Sequence, residues 1–165
     1  MALFFSVLDG RLHDRANFSC GVPVLDDYLR QKAAQHYRDG IATTHVLIDD
    51  VQPNRILGYC ALSAAQLLLS ELDEKDRKRL PAYPVPALRV GRLAVAQDER
   101  KKGYGQLLLG HAVNTALAVR QTMGVRVVIV DAKDDVAAAF YRAHGFGNTS
   151  ANALTLYLSL GKMSA

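Results

Sequence analysis

One stretch constrains this chain more than any other: Arg89-Val-Gly-Arg-Leu-Ala-Val-Ala-Gln-Asp-Glu-Arg-Lys-Lys-Gly-Tyr-Gly-Gln-Leu-Leu-Leu109. It reads as an apolar strand, a tight loop with glycines at 103 and 105, and a helix that starts without a break. The first N–H groups of a helix have no intrahelical partner, and the helix dipole favours negative charge beside them. Glycine lacks Cβ and tolerates positive φ, so a ligand can approach such a backbone closely. The turn is therefore an anion site, suited to the pyrophosphate of a nucleotide-type cofactor. It is neither a dinucleotide fingerprint nor a P-loop: no third glycine stands three residues after Gly105, and no Gly-Lys-Ser/Thr follows.

The rest of the chain reads as mixed α/β. Leu3 to Leu8 is a short apolar run, expected as a first strand. Pro23 suits a first helical turn, Leu25, Tyr28, Leu29 and Ala33 recur at helical spacing, and Gly40 ends a helix expected over 22–38. Thr43 to Ile48 and Arg55 to Ser63 are expected as a hairpin. Ser70, with Asp73 three residues on, has the form of a capping box for a short helix. Prolines 81, 84 and 86 mark an irregular segment before a strand expected over Ala87 to Val95.

After the glycine loop, Leu107, Leu108, His111, Ala112, Thr115 and Val119 give a long helix, ended by Gly124. Val125 to Val130 is β-branched at every position but Arg126 and is expected as a strand buried on both faces. Asp134 caps a helix through Tyr141 and Arg142 that Gly145 terminates, and Ala153 to Leu160 alternates as a last strand. A strand–helix–strand crossover at the centre fits a single α/β domain of 165 residues, large enough to bury a core.

Composition excludes several classes. Half the residues are hydrophobic and 22% are charged, which is not a disordered chain. No apolar run reaches the roughly 18 residues of a membrane span. The first residues carry neither a basic n-region nor a small-residue cleavage site, so no secretory signal is expected. Cys20 and Cys60 have no metal or disulfide-framework spacing and read as reduced thiols of a cytoplasmic protein. No His/Cys pattern makes a zinc site, so no metal is expected. His45 and His111 read as core or groove residues.

The net charge is +4, and basic residues gather at 77, 78, 79, 89, 92, 100, 101 and 102, against Asp98 and Glu99. Arg77-Lys78-Arg79 follows Glu71, Asp73, Glu74 and Asp76, an order that a helix dipole explains without a ligand. Arg89, Arg92, Lys101 and Lys102 have no such explanation. Arg89 and Arg92, with Lys32 and Arg38 on the first helix, are candidates for nucleic-acid phosphates or a partner's carboxylates, and each also reads as a solvated surface charge. Asp131, at the end of the buried strand, reads either as cleft lining or as a turn residue.

Three segments carry a family resemblance. Arg100-x-x-Gly103-x-Gly105 resembles the coenzyme A signature of the GNAT superfamily of acyl-CoA N-acyltransferases. Asp131-Ala-Lys-Asp-Asp-Val-Ala-Ala-Ala-Phe-Tyr-Arg-Ala-His-Gly-Phe146 resembles the family's later segment, which reads Asn/Asp…Ala…Phe-Tyr-x-x-x-Gly-Phe. Phe18-Ser-Cys-Gly-x-x-x-Leu25-x-x-Tyr-Leu29, with Gln31 to Gly40, Gly91-Arg-Leu-Ala-Val95 and Asp131-Ala-Lys133, is similar more narrowly to acetyltransferase toxins of toxin–antitoxin modules.

The resemblance implies a GNAT fold: a mixed, mostly antiparallel twisted sheet of about six to seven strands flanked by about four helices. It implies acetyl-CoA as donor and the free α-amino group of aminoacyl-tRNA as acceptor, so that translation is blocked. It also implies a ribbon-helix-helix antitoxin, operator DNA bound only through that antitoxin, and a homodimer. Two alternatives stay open: an N-acetyltransferase of protein N-termini or small amines, and a non-catalytic acyl-CoA-binding module.

Residue by residue, the resemblance places the donor on Leu93, Ala94, Val95, Arg100, Lys101, Lys102, Gly103, Tyr104, Gly105 and Gln106. The strand pairs with the pantetheine arm, one of its N–H groups polarises the thioester carbonyl, and the two lysines are candidates for the ribose 3′-phosphate. Tyr141 falls where the family has its general acid. A phenol ordinarily titrates near 10, so it is protonated at neutral pH and can donate to a departing thiolate. Its alternative role is a core aromatic beside Phe140. No carboxylate stands out as an obligatory base. An α-amino group titrates near 8, so part of it is already neutral, whereas a lysine amine near 10.4 would need more help.

Overall fold

The computed structural model describes residues 1–78, 80–81 and 84–163. Seven strands hydrogen-bond in the order β1-β2-β3-β4-β5-β7-β6: Leu3–Val7, Thr43–Asp49, Gly58–Leu67, Val85–Val95, Val127–Asp131, Gly147–Asn148 and Thr155–Ser159, numbered β1 to β7 along the chain. The helices are α1 (Pro23–Asp27), α2 (Ala33–Arg38), α3 (Glu74–Arg77), α4 (Tyr104–Val119) and α5 (Asp135–Ala143). This is the mixed α/β, mostly antiparallel architecture that the sequence leads one to expect. Contacts divide it into two compact units: Met1–Ser63 with Arg92–Ala112, and Ala64–Gly91 with Val113–Ala165.

In the first unit β1, β2 and the start of β3 form an antiparallel meander, with Leu3 opposite Asp49 and Thr43 opposite Leu62. Leu25 and Leu29 pack with Phe18, Val46, Ile48, Tyr59 and Ala94. The Tyr59 hydroxyl, within this core, donates to the Leu25 carbonyl at 2.6 Å. The expected helix over 22–38 exists but is not regular. A π turn, Tyr28–Lys32, separates α1 from α2, and the Ala33 N–H reaches back to the Tyr28 carbonyl. Such turns occur often at functional sites. Gly40, at φ 72°, ends the helix as its sequence requires.

In the second unit the crossover is as expected: β4 and β5 run parallel, from Ala87 opposite Val127 to Val90 opposite Val130. Val127 to Val130 are all buried, so both faces of β5 are covered and its side chains do not alternate between core and solvent. β7 pairs antiparallel with β5, and the unpredicted two-residue β6 pairs with β7. Leu67, Leu72, Val85, Ala87, Ile129 and Tyr157 form the core here. The Tyr157 hydroxyl accepts from the Asp73 N–H at 2.8 Å and donates to Asp76 at 2.6 Å. Burial, then that carboxylate, pushes the phenol up to about 12.

Several expected boundaries move. Ser70 does not cap a helix: it lies inside a 3₁₀ turn, Leu69–Glu71, and α3 starts only after Asp73. The helix of ordered acids and bases therefore shrinks to Glu74–Arg77, with Lys78 after it; Arg79 lies outside the described residues. β4 begins at Val85, ahead of the expected start, and its Pro86 carbonyl accepts from the Arg126 N–H at 2.9 Å. A proline lacks an N–H but keeps that acceptor. The Asp134 cap is as expected, its carboxylate accepting from the Ala137 N–H at 2.9 Å.

Candidate active site

In the first unit, β4 carries Leu93, Ala94 and Val95 towards the glycine loop. A 3₁₀ turn at Gln97–Glu99 follows, then Arg100 in extended geometry, and α4 opens at Tyr104. Lys101, at φ 68°, is the only non-glycine residue with positive φ among those described, and Gly103 follows at 81°. A Cβ on Gly103 would meet nothing within 4 Å, so glycine is needed for the backbone rather than for space. The helix's own bonding begins when the Leu107 N–H reaches the Gly103 carbonyl. The N–H groups of Tyr104, Gly105 and Gln106 therefore precede it, as an anion site requires. This backbone fits a pyrophosphate.

The side chains of the loop are held from several directions. Arg100 donates to the Cys20 carbonyl at 2.5 Å. Lys102 is paired at 2.5 Å with Glu99, which Arg55 also reaches at 2.6 Å. Hydrogen bonds from Arg55 and then Lys102 hold the Glu99 carboxyl below the usual carboxylate range, and Glu99 in turn raises Lys102. Gly58, at the head of β3, lies against the end of β4. A Cβ there would stand 2.9 Å from the Ala94 carbonyl oxygen.

The candidate substrate cations differ in their surroundings. Arg92 lies over the Tyr28 ring, 3.8 Å from its centroid, a cation–π contact. The Tyr28 hydroxyl meets His36 Nδ1 at 2.9 Å. Burial raises the Tyr28 phenol and Arg92 opposes the shift. Lys32 closes the π turn and is exposed; Arg38, also exposed, lines with Tyr37 and Thr44 a cleft of about 380 Å³. In the second unit Arg89 pairs with Asp131, the last residue of β5, at 3.5 Å.

Also in the second unit, Tyr141 is buried on α5, its ring 5.4 Å from Phe140 and 6.0 Å from Phe146. The chain turns back on it: the Phe146 N–H donates to the Tyr141 carbonyl, across Gly145 at φ 93°. The aromatic packing expected of a core residue is thus present around the candidate acid.

One polar pair escaped sequence reasoning. His45 on β2 and His111 on α4 share a 2.8 Å hydrogen bond between Nδ1 and Nε2, and Phe5 stacks on His111 at 4.0 Å. Positions 66 residues apart on a strand and a helix leave no local signal. Burial first, then His111, lowers His45 to about 4. An unfolded histidine protonates near 6.5, so between pH 6.5 and about 4 the unfolded chain takes up a proton that the folded chain refuses. Stability is therefore intact above pH 6.5 and declines as pH falls through that window. The expected loss is roughly 2 kcal/mol by pH 4, set below the full 1.36 kcal/mol per unit because the ring is partly buried. Thermal melts between pH 7 and 4.5 test it: His45→Asn should flatten the dependence, and an unaltered slope in that variant refutes it.

No three His, Cys, Asp or Glu residues among those described gather as a metal site, and no described helix is long and apolar enough to cross a membrane. Residues 40–147 match the acetyltransferase (GNAT) domain family. The tRNA-acetylating toxin of Mycobacterium tuberculosis (strain ATCC 25618 / H37Rv) is 32% identical over 145 residues, 88% of this chain and 85% of that protein. AtaT complexed with acetyl-methionyl-tRNAfMet superposes with a TM-score of 0.89 at 24% identity, over 96% of this chain and 95% of that one. AtaTR bound with AcCoA superposes at 0.82 and 25% identity, over 95% and 93%. A glycine loop opening α4 beside a strand end, within a stretch matched from residue 40 to 147, leaves one conclusion: the chain belongs to the GNAT acetyltransferase family, in the line that includes the tRNA-acetylating toxin.

Proposed function

We propose that this protein is the toxin of a toxin–antitoxin module, an acetyl-CoA-dependent N-acetyltransferase that acetylates the α-amino group of aminoacyl-tRNA and so blocks translation. The observation that carries the reading is the 32% identity, over 88% of the chain, to a tRNA-acetylating toxin. The left-handed pair Lys101 and Gly103 at the opening of α4 supports it from the donor's side.

Acetyl-CoA supplies the acetyl thioester. The N–H groups of Lys101 to Gln106 hold its pyrophosphate, with Lys101 nearest the 3′-phosphate, and the backbone of Leu93, Ala94 and Val95 aligns the pantetheine arm. An N–H of that strand stabilises the charge that develops on the carbonyl oxygen. The neutral amine nitrogen bonds to the carbonyl carbon and the C–S bond breaks. Tyr141 gives its phenolic proton to the departing sulphur, and the proton lost by nitrogen returns through solvent to the phenolate. An α-amine, already partly neutral at pH 7, needs no dedicated base.

Arg89, Arg92, Lys32 and Arg38 serve the phosphates of the tRNA acceptor end or, in the neutralised state, antitoxin carboxylates. The whole chain acts as one domain. It works in the cytoplasm as a homodimer, paired with a ribbon-helix-helix antitoxin through which alone it meets operator DNA. Cys20 and Cys60 are both buried, and a reducing compartment would keep them as thiols.

The test is to incubate the protein with radiolabelled acetyl-CoA and bulk charged tRNA, beside deacylated tRNA and a lysine-rich protein. Label is expected in the charged tRNA alone, released with the amino acid on mild deacylation. Label in the protein, or none in RNA while acetyl-CoA still binds, overturns the acceptor and leaves only an acetyltransferase.

A further inference from the structure

Arg55 stands 45 residues before Arg100, in the connection between β2 and β3, and no motif marks it. Its guanidinium nevertheless ends in the donor loop. Nη1 donates to Glu99 at 2.6 Å, and Nη2 donates to both oxygens of Asp98, at 2.8 and 2.9 Å. Glu99 is buried and passes the contact on to Lys102 at 2.5 Å. Lys102 lies between the two residues whose positive φ shapes the turn, Lys101 and Gly103. The chain at Arg55 is itself tethered: the Asp14 N–H donates to the Asn54 carbonyl at 2.7 Å, and the Arg55 N–H to Gln52 at 3.0 Å.

We infer that Arg55 is a positioning residue for the pyrophosphate loop, holding Lys101 to Gly103 in their left-handed turn through Asp98, Glu99 and Lys102. This rests on the donor reading given above. Without the arginine, Asp98 would lose its ion pair and Glu99 would keep only Lys102, and Lys101 would lose what keeps it in a conformation that disfavours a side chain. A fork of five N–H donors suits a residue that must reach two carboxylates at once; a lysine could satisfy only one. The same network takes Lys102 out of direct phosphate binding: its charge is matched by Glu99, and the ligand faces the backbone N–H groups and Lys101.

The experiment compares acetyl-CoA with S-acetylpantetheine, a donor with the same thioester and no pyrophosphate. Arg55→Ala is expected to raise KM for acetyl-CoA about tenfold with kcat within about twofold, and to leave kcat/KM for S-acetylpantetheine unchanged. Arg55→Lys should fall between the wild type and the alanine variant. Glu99→Gln, which keeps the size of the side chain, should show the same donor-selective loss if Arg55→Ala proves too unstable to assay. Equal losses on both donors would reduce Arg55 to general scaffolding and overturn the inference, as would wild-type KM for acetyl-CoA. If the unaltered protein does not bind acetyl-CoA in a calorimetric titration, the donor reading falls and the inference with it.

Discussion

Tyr141→Phe is expected to lower kcat by about 10²- to 10⁴-fold, the usual range for loss of a general acid. The substitution deletes one hydroxyl from a ring that is only 4% exposed, and phenylalanine keeps the packing against Phe140 and Phe146. Stability should change by no more than about 1 kcal/mol, the typical worth of one hydrogen bond. Acetyl-CoA affinity should also hold, because the donor loop belongs to other elements. Single-turnover rates, a melting curve and a calorimetric titration on the same preparation separate the three effects. A variant with wild-type kcat would show that the hydroxyl takes no part in the proton transfer, and Tyr141 would then be a core aromatic alone.

The second large effect falls on folding. At Gly58 an added Cβ would stand 2.8 Å from Leu108 Cδ1 and 2.9 Å from the Ala94 carbonyl oxygen. Leu108 can rotate away, but Ala94 is backbone of β4 and cannot move without carrying the strand end with it. Gly58→Ala should therefore cost about 2–3 kcal/mol, in the range of overpacking a filled core, and lower Tm by roughly 5–10 °C. Gly147→Ala is the control, since a Cβ there meets nothing within 4 Å. Because Ala94 and Val95 lead into the donor loop, Gly58→Ala should also weaken acetyl-CoA. Melting temperatures within a degree of one another for the two variants would show that the contact yields without strain.

These expectations separate what local sequence could and could not reveal. The turn between β4 and α4 was legible because a glycine pattern between a strand and a helix is a local signal, and so was the Asp134 cap. The π turn at Tyr28–Lys32 was not, because heptad-like apolar spacing is compatible with either helix type. The acids and bases at 71–79 read as one helix, yet α3 holds only Glu74–Arg77, and Tyr157 engages the Asp73 N–H and the Asp76 carboxylate from 81 or more residues away. The same holds for Arg55 with Glu99 and for His45 with His111. Side chains that meet through the sheet carry no periodicity, and only their residue type is visible beforehand. Arg89 illustrates the middle case: its charge was noticed, but not its contact with Asp131.

The ladder of β5 bears on when such an enzyme comes into being. Its strand has β4 on one side and β7 on the other, and β7 is the last of the seven to be made. A ribosome synthesising this chain releases α5, with Tyr141, before the strand that closes the edge of β5. Until β7 emerges that edge has no partner, and the sheet behind the candidate acid is incomplete. A protein proposed to consume the substrates of translation thus completes the sheet behind its candidate acid only once the ribosome has made β7.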